Sequence, residues 1–290
     1  MPSRRHALLA PLALVACANP LPEAAAPGHP SRAAALLAGS AEAHGLGTFR
    51  RIRDVSLRYE GEWPPVIGRL QPVLVDQGFR GGSEERLLPR EGLVAQAHAG
   101  PAGSKQVVRR PGAVRVWFNG VESEDAERQA AAALVADGYL LFLLGPMLLA
   151  GGWPGREAPR LELAGEEVVE VGGIRRRCDL LRASMVPGLG ASPAERLLLF
   201  IDREERLMRR VRFGLEGLRS TRGAVAEVDA WDHVTLGGVR WPRRFHERLL
   251  RPLPLPVHDW RLTGLDLDRG IAPREIEGPA FTGRAVAPAA

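Results

Sequence analysis

Residues 54–60, Asp54-Val55-Ser56-Leu57-Arg58-Tyr59-Glu60, alternate strictly, with Val55, Leu57 and Tyr59 on one side and four polar residues on the other. A period of two predicts a strand with one buried and one wet face. Noisier alternation predicts further strands over 66–76, 84–88, 92–98, 105–109 and 113–118, separated by Gly, Pro or acidic turns. Asn119-Gly120 then supplies a strong hairpin signal. The first half therefore reads as a β-meander.

Helical spacing appears in two places. Residues 33–44 (AAALLAGSAEAH) predict a short helix with Gly45 as its C-cap, and His44 in the last turn, where a cation suits the helix dipole. Ser123 is placed to cap a second helix whose first turn holds Glu124 and Asp125, and AERQAAAALVA is strongly helix-forming. Asp137-Gly138 is expected to interrupt it. The run from Tyr139 to Leu149 is the most hydrophobic stretch after the N-terminus, yet it is short and broken by Gly145-Pro146, which favours core or cavity lining over a membrane span. This insert is expected to separate two sheets of strands. Strand patterns resume at about 160–164, 167–171, 174–185, 195–202, 206–214, 223–231, 238–250 and 257–267, and Arg203-Glu204-Glu205 reads as the turn of a hairpin. Many strands at such spacing, with few helices, predict a mainly β (α+β) protein built on a large antiparallel sheet or partly closed barrel. Parallel α/β is disfavoured.

The N-terminus has a different order. Arg4, Arg5 and His6 precede an apolar stretch from Ala7 to Ala16, followed by small and Pro-rich sequence. Positive, then apolar, then small is a secretion signal, and about ten apolar residues are too few for a spanning helix. Leu14-Val15-Ala16-Cys17 resembles the bacterial lipobox, which implies cleavage before Cys17 and acylation of its thiol. Ala18, rather than Asp, at the next position implies export to the outer membrane. The expected organisation is a signal peptide over 1–16, a lipidated Ala- and Pro-rich tether over 17–35, one domain over 36–275 and a flexible tail over 276–290. An acylated Cys17 leaves Cys178, the other of the two cysteines, without an intramolecular partner. Neighbouring arginines would make it reactive; packing as a small buried side chain is the favoured reading.

Charge narrows the partners. There are 39 basic and 34 acidic residues, Lys105 is the sole lysine, and the arginines are interspersed with acids, as in Arg203-Glu204-Glu205-Arg206. Nucleic-acid binding calls for a basic stripe, so none is expected. Catalytic motifs are also missing: no G-x-S-x-G, G-x-G-x-x-G or P-loop occurs, and His246-Glu247-Arg248-Leu249-Leu250 has Leu250 where H-E-x-x-H needs its second histidine. No metal, cofactor or catalytic residue is expected. His233, His246 and His258, with Asp232 and Asp259 adjacent in sequence, leave open a cross-strand His–carboxylate pair. The Gly100–Lys105 loop reads as a hairpin turn rather than a phosphate cradle. Tryptophans such as Trp117 and Trp153 fill a core or line a cavity.

The assembled order resembles the LolA-like group of periplasmic carriers and lipoproteins. The resemblance rests on the lipobox, the helix ending His44-Gly45, the meander closing in Val116-Trp117-Phe118-Asn119-Gly120, the helical insert, and Phe200-Ile201-Asp202 followed by Leu207-Met208-Arg209-Arg210. It extends to Asp232-His233-Val234 with Gly238-Val239-Arg240-Trp241-Pro242. It implies a wide, curved antiparallel sheet, an unclosed barrel whose concave face is covered by helices, with a hydrophobic cavity for acyl chains. Trp117, Tyr139, Phe142, Leu143 and Met147 are the residues expected to meet such a ligand. The function implied is a non-catalytic, lipid-anchored outer-membrane lipoprotein facing the periplasm, whose partners are the membrane, a lipid or lipoprotein acyl chain, and other envelope proteins. An envelope enzyme using a His–carboxylate pair, or a structural or sensor lipoprotein, are the alternatives.

Overall fold

A computed structural model describes residues 20–21 and 30–283; Cys17 lies outside the described residues, as do the signal segment and the last seven positions. The expected meander is present as β1 (Val55–Glu62), β2 (Gly82–Leu88), β3 (Leu93–Gly100), β4 (Gly103–Arg110), β5 (Ala113–Phe118) and β6 (Val121–Glu122). The second half forms β7 (Arg160–Val171), β8 (Ile174–Met185), β9 (Glu195–Asp202), β10 (Met208–Gly214), β11 (Val225–Leu236), β12 (Val239–Arg251) and β13 (Leu255–Leu267). Where two sheets were expected there is one. All thirteen strands join in the order β6-β5-β4-β3-β2-β1-β13-β12-β11-β10-β9-β8-β7, because β1 pairs antiparallel with β13. The sheet is curved and does not close into a barrel.

This order dictates the place of the insert. β6 and β7 are opposite edges of the sheet, so the chain between them must cross a face. It does so as α5 (Ala126–Leu144) and α6 (Pro146–Ala150), beside α1 (Pro30–His44) and α2 (Leu46–Phe49). Nineteen residues of α-helix extend about 28 Å at 1.5 Å per residue, enough to reach across several strands. Val55, Leu57 and Tyr59 face these helices in the main core, as their alternation predicts. From Ala131 to Leu144 nearly every side chain of α5 is buried, as befits a helix apolar on all sides.

Local chemistry overrides the sequence pattern at several points. Residues 66–76 are not a strand but α3 (Pro65–Leu70) and α4 (Pro72–Val75). Pro65 and Pro72 occupy first helical positions, where a missing N–H costs nothing, whereas each would leave a gap in a strand ladder. Asp125, not Ser123, caps α5, its Oδ1 accepting from the N–H groups of Glu127 and Arg128 at 2.9 and 3.0 Å. Asp137-Gly138 does not break α5, because the Asp137 carboxylate is bound by groups outside the helix. Arg109 donates to it through Nε and Nη2 at 3.2 and 2.9 Å, and the Gly190 N–H donates at 2.9 Å. β7 runs unbroken through 160–171 over a bulge between Leu163 and Glu166, and β11 continues past 231 with Asp232 in the left-handed region.

The domain also extends beyond its expected ends. α1 starts at Pro30, and Ile276 and Phe281 pack on the outer face of the sheet with Leu88, Leu93 and Trp117. Leu21 is buried on the outer face too, beside Cys178, Leu180 and Phe200, and Arg212 donates to the Pro20 carbonyl at 2.9 Å. Burial pushes the Cys178 thiol up to about 12, the state of a packed side chain rather than a nucleophile.

Candidate functional site

Between the sheet and α5 lies a cavity of about 490 Å³, within the range of about 300–1,000 Å³ usual for small-molecule sites. Phe213, Ala226, Leu249 and Val257 line it from β10, β11, β12 and β13. Leu134, Gly138 and Phe142 line it from α5 at a spacing of four, which puts them on one helical face, with Tyr139 alongside. Trp63, Ile67 and Leu74 cover the cavity from the α3–α4 segment. That segment is fastened across the opening by Gln71, whose Nε2 donates to the Ser220 carbonyl at 3.3 Å while its Oε1 accepts from the Ser220 hydroxyl at 2.9 Å. Leu70 and Leu253, at the mouth, are largely exposed.

Next to the cavity, and sharing Trp63 and Tyr139 with its wall, is an aromatic and polar cluster. Trp63 stacks on His258 at 3.8 Å between ring centres, His258 on Trp260 at 4.6 Å, and Trp260 on Phe245 at 4.8 Å. Burial, reinforced by the charge of Arg80, holds the His258 imidazole well below its ordinary value, so it is neutral. The Tyr139 hydroxyl lies 3.4 Å from His258 Nδ1, and burial raises its phenol above the ordinary range. Glu247, paired in register with His258, lines the cavity as its one carboxyl among the described residues. Burial raises it to about 7, against the opposing pull of Arg80.

This carboxyl makes a measurable pH dependence. Its folded-state value lies above the unfolded one, so the folded form is favoured while it is protonated and loses stability as pH rises through about 7. Glu247→Gln should therefore stabilise the protein relative to the parent by an amount that grows from pH 5 to pH 8 in paired thermal melts. A difference that does not change with pH would remove the buried-carboxyl assignment.

Neither a family model nor a curated relative matches the sequence. Structure does find a match. The chain superposes on the crystal structure of a LolA superfamily protein from Nitrosomonas europaea with a TM-score of 0.52, at 11% identity, over 84% of this chain and 96% of that one. This chain has a LolA-like fold. A DUF1329 family protein from Desulfovibrio piger matches with a TM-score of 0.41 at 14% identity, over 86% of this chain and 98% of that one. A putative outer membrane lipoprotein-sorting protein domain from Vibrio parahaemolyticus matches with a TM-score of 0.35 at 9% identity, over 82% and 97%. At 11% identity the Nitrosomonas europaea superposition shows the fold alone and leaves the ligand to the site itself.

Within the LolA-like sheet, the expected ligand residues separate. Tyr139 and Phe142 line the cavity. Leu143 points from α5 into solid core, Met147 packs in α6 within that core, and neither borders the cavity. Trp117 is on the outer face of β5, under the Arg115 guanidinium at 4.7 Å and in the cluster that holds Phe281. The α3–α4 lining was missed because 66–76 was read as a strand; Trp63-Pro64-Pro65 and Pro72 were the signals that could have found it.

The histidines do not converge. His246 Nδ1 does lie 2.7 Å from Asp259 Oδ1, a cross-strand pair, but Asp259 is 66% exposed and neither residue lines the cavity beneath α5. His44 and His233 sit edge to face at 5.8 Å. Burial lowers them to about 4 and about 2, so both are neutral. His44 is thus no cation at the helix end: its Nε2 accepts the Met208 N–H at 3.0 Å. Among the described residues, no group of three His, Cys, Asp or Glu could hold a metal. A second space of about 570 Å³ is lined by Arg176, Arg209, Arg240 and Arg244. All four are held in ion pairs by Asp202, Glu205 or Asp232.

Proposed function

We propose that this LolA-like protein is a lipid-anchored lipoprotein of the bacterial outer membrane that takes an apolar ligand, a lipid or a lipoprotein acyl chain, into the cavity beneath α5 and α3, by burial and without catalysis. The cavity carries this reading: its lining is mainly apolar, its helical cover is fastened across the opening by two Gln71–Ser220 hydrogen bonds, and it is open at a rim where Leu70 and Leu253 are exposed. Each buried methylene of a chain would contribute about 0.8 kcal/mol. With Val66, also exposed, the rim offers an apolar surface to an envelope protein that delivers or receives the ligand.

The test is binding of a fluorescent fatty acid to delipidated protein, together with mass spectrometry of what organic solvent extracts from freshly purified material. Phe142→Asp should weaken binding about tenfold or more while the protein still melts cooperatively. Leu143→Asp, one residue away but in solid core, should prevent folding, since even truncation of such a side chain to Ala costs about 2–5 kcal/mol. Equal behaviour of the two variants, or an empty extract together with no probe binding, would sink the reading.

A further inference from the structure

Exposed hydrophobic side chains gather at the mouth of the cavity. Of the six large ones among the described residues, three, Val66, Leu70 and Leu253, lie on or beside its rim. Leu253 stands between Pro252 and Pro254 in the β12–β13 turn, which is exposed and carries no charge. A single exposed leucine is ordinary, but a group at the opening of an apolar cavity marks an interaction surface.

Basic side chains border the same opening. Arg69 precedes Leu70 on α3, and Arg219 and Arg222 flank Ser220 and Thr221, which line the mouth from the β10–β11 loop. All three arginines are exposed, and none forms an ion pair among the described residues. The acids of these segments are engaged elsewhere: Glu216 Oε1 accepts from the Gly223 N–H at 3.1 Å, and Asp76 is held by Lys105. Apolar side chains set among unpaired cations suit the surface of a bilayer, where the first enter the acyl boundary and the second stay with anionic headgroups.

The N-terminal segment meets the sheet at this same end. The Pro20 carbonyl accepts from Arg212, two residues before β10 ends at Gly214, and the loop that follows carries Arg219 and Arg222. Leu21 belongs to an outer-face cluster that includes Val225, the first residue of β11, and Leu250, one residue before the end of β12. Cys17 is three residues from Pro20, a reach of at most about 11 Å. Acyl chains on Cys17 would therefore hold the mouth end of the sheet against the bilayer, and not the opposite end with the β9–β10 and β11–β12 turns.

We infer that the cavity mouth docks on the surface of an anionic phospholipid bilayer, with Leu70 and Leu253 in the acyl boundary and Arg69, Arg219 and Arg222 on headgroup phosphates. The apolar ligand then passes between membrane and cavity without crossing water. This rests on the acyl-chain and anchor readings above and adds the surface with which the cavity exchanges. The contact is weak and reversible beside acylation, so it orients an anchored chain and does not retain an unanchored one through washing. A protein that delivers or receives the ligand reaches the rim only when it lifts from the bilayer.

The experiment uses the mature chain with Cys17→Ser, so that no acyl chain contributes, and vesicles of phosphatidylcholine with or without phosphatidylglycerol. At about fivefold per arginine, the anionic vesicles should bind it about tenfold or more tightly in cosedimentation, and high salt should erase the difference. Arg69→Gln, Arg219→Gln and Arg222→Gln together should lower anionic binding to the neutral level, and Leu253→Asp should weaken binding to both vesicles; these side chains are exposed, so thermal melts should not change. Orientation is read with an environment-sensitive dye on Leu70→Cys, Leu253→Cys or Ile174→Cys, the last an exposed position at the opposite end of the sheet. Cys178 is buried and takes no label. Spin-labelled lipid should quench the dye at 70 and 253 and leave it unquenched at 174. No binding, equal binding to the two vesicles, or equal quenching at the three positions would overturn the inference. Fatty-acid binding by the same protein in solution tests the cavity reading separately, so its persistence without docking would remove the membrane surface alone. Shielding of positions 70 and 253 by a protein of an envelope extract and not by lipid would assign the rim to that protein and overturn the bilayer assignment.

Discussion

Asp137→Ala should destabilise the protein by about 3–5 kcal/mol, the cost of breaking a buried ion pair from one side. The Asp137 side chain is 4% exposed, accepts from Arg109 and the Gly190 N–H, and lies 3.5 Å from Arg156. Removing it leaves Arg109 and Arg156, themselves largely buried, without a carboxylate between them. It also frees the middle of α5 from β4 and from the loop that carries Gly190. Asp137→Asn, which keeps the volume and one acceptor oxygen, should cost less. Denaturant unfolding of the two variants against the parent measures both; a loss below about 1 kcal/mol for Asp137→Ala would mean that the helix is held by apolar contacts alone.

The second large effect is on location. Cys17→Ser should move essentially all of the protein from the membrane fraction to the soluble one, since the proposed acyl chains at Cys17 are the anchor. Among the described residues no helix is long and apolar enough to cross a membrane, whereas two or more acyl chains, at about 0.8 kcal/mol per methylene, hold a protein firmly to a bilayer. Leu21 is buried on the outer face of the sheet, and four residues of chain reach at most about 14 Å, so the anchor would be tethered close to that face. Fractionation with mass measurement of the N-terminal peptide checks this, and retention of Cys17→Ser on membranes would count against lipidation.

Legibility differed from element to element for physical reasons. β1 was readable because Val55, Leu57 and Tyr59 alternate with polar neighbours, and a strand with one helix-covered and one wet face shows that alternation. The stretch 66–76 was misread because Pro65 and Pro72, decisive for short helices, carry no weight in a hydrophobicity pattern. Asp137-Gly138 reads locally as a helix breaker and becomes a tie between α5 and the sheet only through Arg109, twenty-eight residues away. The site divides in the same manner. Tyr139, Phe142, Leu143 and Met147 belong to one apolar run, and only the rotation of α5 over the sheet places the first two against the cavity and the others in core.

By itself the amino-acid sequence determined the class of the fold, because alternation, turn residues and the shortage of helical spacing are local properties that survive in any arrangement of the strands. It also determined where most of the strands lie, 66–76 excepted, and that one apolar insert divides the meanders. Only the tertiary structure decided that β1 and β13 join the two halves into one sheet, since that pairing links residues some two hundred positions apart. From that joining the rest follows: the insert must run from one edge to the other, and a cavity forms beneath it.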